Sequence, residues 1–306
     1  MAAATGHRPP AFSAFAACGS PRRRLLGRLL LGAAALLGSH ALAANPLCLH
    51  GCPTGAPATN QTVARTLYVL SNNGDTKFAD WVAYRITHDT IGSASRRKFS
   101  RDPDLPAATT LSPPDYRGAR EALGVDHGHQ APLVSFSNSP DWDETNYLSN
   151  VAPRRIDLNE GPWRRLESAE RNLAGGSDTA AVYSVTGPIY GIPMPNLPQA
   201  RQVHSVPAGY WKVIAVEHDG TLRTAAFIMP QNLARGASHC GSLVTVREVE
   251  RRTGLKLFPD MPADRRSRIE DAKGDLAGDL GCDPPAVEIP NEKPVRDISA
   301  EPAKTE

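Results

Sequence analysis

No apolar run in this 306-residue chain is long enough to cross a bilayer. The best candidate, residues 29–37, falls well short of the roughly 20 residues a spanning helix requires. An excess of charge of one sign is missing too, with 34 Lys+Arg against 32 Asp+Glu. Residues 1–43 hold five of those basic residues and none of the acidic ones, so the remainder of the chain is formally −3. That excludes a global electrostatic footprint for a polyanion and confines any phosphate-binding surface to a local patch. No internal repeat is visible, which excludes solenoids and propellers.

Arg22, Arg23, Arg24 and Arg28 precede the short apolar run, and Ala41-Leu42-Ala43 forms a small-residue cleavage site before Ala44. This is the pattern of a secretory signal over residues 1–43, and it predicts a secreted or periplasmic protein. Four of the five cysteines follow it: Cys48, Cys52, Cys240 and Cys282. An even count in an exported chain reads as two disulfides. Cys48 with Cys52, four apart, and Cys240 with Cys282, bracketing the C-terminal region, are the pairs expected. A metal site on Cys48 and Cys52 would need two further ligands, and only His50 is near. Residues 44–282 read as one globular unit. Residues 283–306 are Pro-rich and charged with little to bury, the composition of a disordered tail.

Within that unit, residues 66–71 and 80–87 read as strands, the second with Val82, Tyr84 and Ile86 on one face. Residues 91–115 read as an exposed loop, and 116–123 as a short helix ended by Gly124. Residues 180–186 and 211–216 are apolar β runs. His218-Asp219-Gly220 turns the latter into a hairpin with residues 222–229. Thr245 to Glu248 has the form of a capping box, opening a helix that stops at Gly254. Pro162 suits a first helical position, and residues 163–173 contain no breaker. Positions 159, 163, 167 and 171 would then form one helical stripe carrying Asn159, Glu167 and Arg171. A Glu and an Arg four apart are most often a surface pair.

The densest chemistry lies at Val125-Asp126-His127-Gly128-His129-Gln130-Ala131-Pro132. One carboxylate and two imidazoles fall within four positions, and groups of this kind cluster where chemistry happens. Phosphodiester hydrolysis needs an activated water, a cation at the scissile phosphate and stabilisation of the leaving oxygen. A neutral histidine is a good base near neutral pH. Mg²⁺ prefers oxygen ligands and keeps most of its waters, so an Asn carbonyl beside a Glu is a plausible site. Contacts to the backbone rather than to bases favour weak sequence preference.

Six ordered segments carry a resemblance: KFADWVAY from Lys77, VDHGHQAP from Val125, NYLSNVAP from Asn146, LNEGPWRRLE from Leu158, Thr186-Gly187-Pro188, and Tyr210-Trp211-Lys212-Val213. In these the chain resembles the sugar-non-specific DNA/RNA endonucleases of the Serratia nuclease type, relatives of mitochondrial endonuclease G. The four cysteines fit the family's disulfide pattern as well. The resemblance implies an α+β fold with an antiparallel β-sheet core, flanking helices and a ββα-metal (His-Me finger) active site. It implies Mg²⁺ as cofactor with Mn²⁺ able to substitute, DNA and RNA as substrates, products with 5′-phosphate ends, and it allows a homodimer. Carried over residue by residue, His129 matches the general base and Asn159 the protein ligand of the metal. Asn150 matches a polar active-site residue orienting the base or a phosphate, and Glu167 the acid that holds metal-bound waters. Arg97 and Arg171 match arginines that stabilise charge on the phosphate, and Asp126 opens the family's Asp-Arg-Gly-His motif. The departure is His127, where the family has Arg and where phosphate binding is expected. Guanidinium is always charged and forks onto phosphate, whereas histidine is mostly neutral at pH 7.

Two rival readings remain. His127-x-His129 could chelate zinc in a phosphodiesterase, but the pattern His-x-His-x-Asp-His would require Asp at 131 and His at 132, where the chain has Ala131 and Pro132. The replacement at 127 also fits an exported nucleic-acid-binding protein with lost or weakened catalysis. Trp81, Trp163 and Trp211 are expected in the core rather than stacked on bases.

Overall fold

The structure is a computed structural model that describes residues 45–93 and 96–282. The expected signal peptide and C-terminal tail lie outside the described residues. Seven strands form one antiparallel sheet in the order β1 (Gln61–Ala64), β2 (Tyr68–Asn73), β3 (Phe78–Ile86), β6 (Val182–Ile189), β7 (Gly209–His218), β8 (Thr221–Pro230), β9 (Leu243–Val244). The hairpin between β7 and β8 turns on Asp219 (φ 48°) and Gly220 (φ 71°), the left-handed pair that tight hairpins favour.

The central strands are apolar in both phases because both faces of the sheet are covered. Val82, Tyr84 and Ile86 point into one core with Tyr210, Ile214, Trp163 and Leu166. Trp81 and Ala83 point into the other, with Trp211, Val213, Val249 and Leu257. All three tryptophans singled out in the sequence are buried. The second core is closed by helix α4 (Val246–Thr253) and by the segment around Cys48. Thr245 caps α4 by accepting from the Glu248 N–H (3.1 Å), and Gly254 ends it at φ 74°. The Glu248 carboxylate turns to Arg251 (2.6 Å) rather than back to the cap, so half of the expected capping box forms. Helix α5 (Ala263–Asp271) follows. Both expected disulfides, Cys48–Cys52 and Cys240–Cys282, are present.

The other sheet face carries the unit that builds the site. Helix α1 (Ala119–Leu123) starts three residues later than expected, since Gly118 before it is left-handed (φ 70°) and Tyr116 ends a separate turn. Strands β4 (Val125–His129) and β5 (Val151–Arg155) form a two-stranded antiparallel ribbon of their own. The helical turn α2 (Ile156–Leu158) leads through a wide turn at Asn159–Trp163 into helix α3 (Arg164–Gly175). The continuous stripe expected from Asn159 onward is broken at Gly161, whose backbone is non-helical (φ −105°, ψ −117°). Pro162 disfavours helical geometry at the residue before it, and the close Arg235 backbone requires that residue to be Gly: a Cβ on Gly161 would sit 2.6 Å from the Arg235 carbonyl oxygen.

Candidate active site

Strand β4 has little intrinsic β preference; its pairing with β5 holds it. His127 sits opposite Pro153 and His129 opposite Val151, so both imidazoles leave the same face of the ribbon. Gly128 between them is needed for close approach, because a Cβ there would fall 2.7 Å from the Arg154 Cβ and 2.9 Å from its guanidinium carbon. Beyond the break at Gly161, helix α3 presents residues 164, 167, 168 and 171 on one face. Ribbon, wide turn and helix together enclose an open cavity of about 290 Å³. Arg97, His127, His129, Asn159, Glu167 and Arg171 line it, with Glu160, Arg164 and Ser168.

His129 is almost buried, at 7% exposure. Its Nε2–H donates to the Asn146 Oδ1 (3.2 Å), which leaves Nδ1 as the nitrogen with a free lone pair. Burial is the main reason its pKa is pushed down to about 3, against the opposing Asn146 bond; the nearby charges of Arg97 and Arg154 act in the same direction as burial. The ring is therefore neutral at pH 7 with a lone pair free at Nδ1, and burial this deep also weakens it as a base.

His127 is held differently. Its ring is stacked between Phe99 (4.0 Å, 8°) and Tyr116 (4.1 Å, 20°). Nδ1 faces the Asp126 Oδ1 at 3.1 Å, and the backbone N–H of His127 donates to the same oxygen (2.7 Å). These bonds, led by the side-chain bond to His127, lower the Asp126 pKa to about 2. A neutral imidazole that donates Nδ1–H to a carboxylate presents only an acceptor at Nε2. A chelating pair at His127 and His129 would also need a third ligand. Among the described residues the only tight group of three His, Cys or carboxylate side chains is His239, Cys240 and Cys282, whose sulfurs are joined to each other.

Glu167 and Arg171 do not pair with each other, as a Glu and an Arg four apart most often do. Glu167 Oε1 accepts from Trp163 Nε1 (2.8 Å), and Arg171 donates to Ser168 Oγ (2.9 Å). Asn159 Oδ1 accepts from Arg154 Nη1 at 3.1 Å. An amide oxygen and a carboxylate on one wall are hard donors that suit Mg²⁺ or Mn²⁺ better than a softer metal.

Two of the residues singled out in the sequence do not line the cavity. Asp126 backs His127. Asn150 is fully buried and staples the chain just beyond His129: its Nδ2 donates to the Ala131 O (2.9 Å) and Thr145 O (2.9 Å), and its Oδ1 accepts from the Ala131 N–H (2.8 Å). Sequence reasoning overlooked Asn146, although it opens the same NYLSN segment; nothing in the spacing tells which of the two asparagines meets the imidazole. It also overlooked Arg164 and Arg154. Arg154 is fully buried between the rings of Trp163 (4.1 Å) and Tyr210 (4.4 Å). No carboxylate pairs with it among the described residues, and its Nε and Nη2 have no hydrogen-bond partner. Burial, the largest influence on its pKa, lowers it.

An antiparallel sheet carrying a ββα unit, with a neutral histidine, oxygen donors and arginines around one cavity, defines a phosphodiester-cleaving hydrolase of the nuclease class. The chain belongs to the DNA/RNA non-specific endonuclease family, whose model matches residues 44–264. It is 44% identical over 259 residues to the Nuclease of Serratia marcescens, covering 83% of this chain and 97% of that protein. It is 30% identical over 224 residues to human mitochondrial Endonuclease G, covering 68% of this chain and 73% of that one. The solved EndoG/EndoGI complex, described as showing the mechanism of EndoG inhibition, contains a similar fold: TM-score 0.58 at 25% identity, over 70% of this chain and 90% of that one.

Proposed function

We propose that the protein is an exported, Mg²⁺-dependent endonuclease that hydrolyses phosphodiester bonds of both DNA and RNA and leaves 5′-phosphate ends. The observation that carries this reading is the His129 ring, neutral, anchored by Asn146 through Nε2 and open to the cavity through Nδ1. His129 Nδ1 takes the proton of the attacking water as that water approaches phosphorus. Arg97 and Arg171 hold the phosphate oxygens and offset the charge that grows on them. Asn159 and Glu167 are the residues that would hold the metal, which when bound supplies Lewis-acid stabilisation at the phosphate and the leaving 3′-oxygen. Asp126 fixes His127 at the phosphate-facing edge, and Asn150 fixes the backbone that follows His129.

Export is supported by the residue 1–43 pattern and by two disulfides, which persist in oxidising compartments. A homodimer rests on the family resemblance alone and is tested by size-exclusion chromatography with light scattering. The test of the activity is incubation of the purified protein with supercoiled plasmid and with structured RNA, with Mg²⁺ or with EDTA, followed by end labelling. Cleavage of both with Mg²⁺ alone and 5′-phosphate ends are expected. Retention of both nucleic acids without any cutting would favour the weakened-catalysis reading that the aromatic-clamped His127 motivates.

A further inference from the structure

Arg154 breaks a strong rule, since a buried charge is normally paired, and an unpaired one is costly. Its single hydrogen bond among the described residues is with Asn159 Oδ1 (3.1 Å), the oxygen that would face the metal. An amide oxygen has two acceptor positions, so guanidinium and metal would share one atom, two cations side by side. The cavity adds to the effect. Three arginines and two glutamates line it, and Glu160 is already engaged by Arg235. With Arg154 beneath, the cavity carries more positive than negative charge. A divalent cation entering alone meets net repulsion, whereas one arriving with a phosphodiester does not.

We infer that Arg154 is a positioning residue that orients the Asn159 carbonyl and makes metal capture there depend on the phosphate of bound nucleic acid. The inference rests on the proposed metal role of Asn159. Coupling between two ligands is reciprocal, so the nucleic acid must bind tighter with metal by the same factor that metal binds tighter with nucleic acid. Couplings of this kind are commonly about 5- to 150-fold.

The test uses the whole chain with His129→Ala, which removes the proposed base so that substrate survives. Mn²⁺ affinity is read by electron paramagnetic resonance, with and without a short single-stranded oligodeoxynucleotide, after correction for Mn²⁺ held by the oligonucleotide alone. Oligonucleotide affinity is read by fluorescence anisotropy with and without Mn²⁺. An increase of about tenfold or more in each affinity, equal within error, is expected. Adding Arg154→Gln or Arg154→Met, both neutral, should tighten Mn²⁺ binding in the absence of nucleic acid and shrink the coupling, while Arg154→Lys should retain it. Equal Mn²⁺ affinity with and without oligonucleotide overturns the inference with no substitution at 154 needed. So does a neutral variant that leaves Mn²⁺ binding unchanged although Asn159→Ala abolishes it. If Asn159→Ala leaves Mn²⁺ binding intact, the metal site itself has been misplaced, and that is a distinct failure.

Discussion

Lys212 and Arg154 are both fully buried, and both lie against the ring of Trp163, at 5.0 and 4.1 Å. Around Lys212 every polar atom is answered: its Nζ donates to Glu170 (2.6 Å) and to the Tyr84 hydroxyl (2.7 Å). Glu170 in turn accepts from Ser184 (2.5 Å) and Tyr84 (3.1 Å). Around Arg154, besides the two aromatic rings, a single hydrogen bond is made among the described residues, to a residue of the cavity. A saturated buried ion network between β3, β6, β7 and α3 does the work of a core, whereas an unsaturated cation tolerated against the same Trp163 ring is the mark of a site. The two groups should therefore respond oppositely when removed.

The largest effect expected on the site side is loss of the proposed base. His129→Ala should lower the cleavage rate about 10²- to 10⁴-fold, the usual contribution of general-base catalysis, while the melting temperature changes little. Plasmid nicking assays paired with a thermal melt check this, and a variant keeping more than about a tenth of the parent rate would remove His129 from the role.

On the core side, Lys212→Met should destabilise the fold by about 3–5 kcal/mol, because Glu170 is left buried without its partner. Lys212→Met with Glu170→Leu should recover most of that loss. Arg154→Met, by contrast, removes a charge that has no carboxylate partner, so its urea midpoint should be equal to or above that of the parent. A loss at Arg154 as large as that at Lys212 would erase the distinction between the two cations.

A smaller effect is expected at position 127. The slot between Phe99 and Tyr116 accepts a flat group on both faces, and guanidinium stacks on aromatic rings as imidazole does. His127→Arg should keep the slot filled and add a permanent donor toward phosphate. The gain is about 1.5 kcal/mol, roughly tenfold in rate, and extends to alkaline pH where guanidinium stays charged. Rates measured from pH 6 to 10 decide it, and an unchanged rate and profile would mean that 127 makes no phosphate contact.

How far these features could be read from the residues follows a physical pattern. Strand β3, the β7–β8 hairpin and α4 were legible because alternation, a left-handed turn pair and a Thr cap with a terminal Gly are local signals. The second core was legible only at Trp81 and Trp211, since Ala83 is apolar in the phase that a half-exposed strand would leave polar. Asn159, Glu167 and Arg171 reach one cavity as expected, but by way of a break at Gly161 before Pro162, where the Arg235 backbone leaves no room for a side chain. Arg154 was invisible for a related reason. An arginine late in a short strand reads as exposed, and its burial depends on Gly128, Trp163 and Tyr210, which the sequence holds far apart.

A further expected effect is a slope in stability with pH. His129 has a folded pKa near 3 and an unfolded one near the ordinary 6.5. Between those values the unfolded chain binds a proton that the folded chain refuses, so stability falls as pH is lowered from 6.5 toward 3 and is unaffected by this group above 6.5. One proton gives at most about 1.4 kcal/mol per pH unit. Asp126, lowered to about 2, loses its stabilising contribution only below the ordinary carboxylate range, so the two groups separate between pH 4.5 and 6.5. Asp80, whose pKa burial raises, titrates alike in parent and variant and cancels in the difference. Urea unfolding of the parent and of His129→Gln across that interval should give a steeper acid slope for the parent. Parallel curves would mean that the imidazole is not buried in its neutral form, which would take with it the argument for Nδ1 as the proton acceptor.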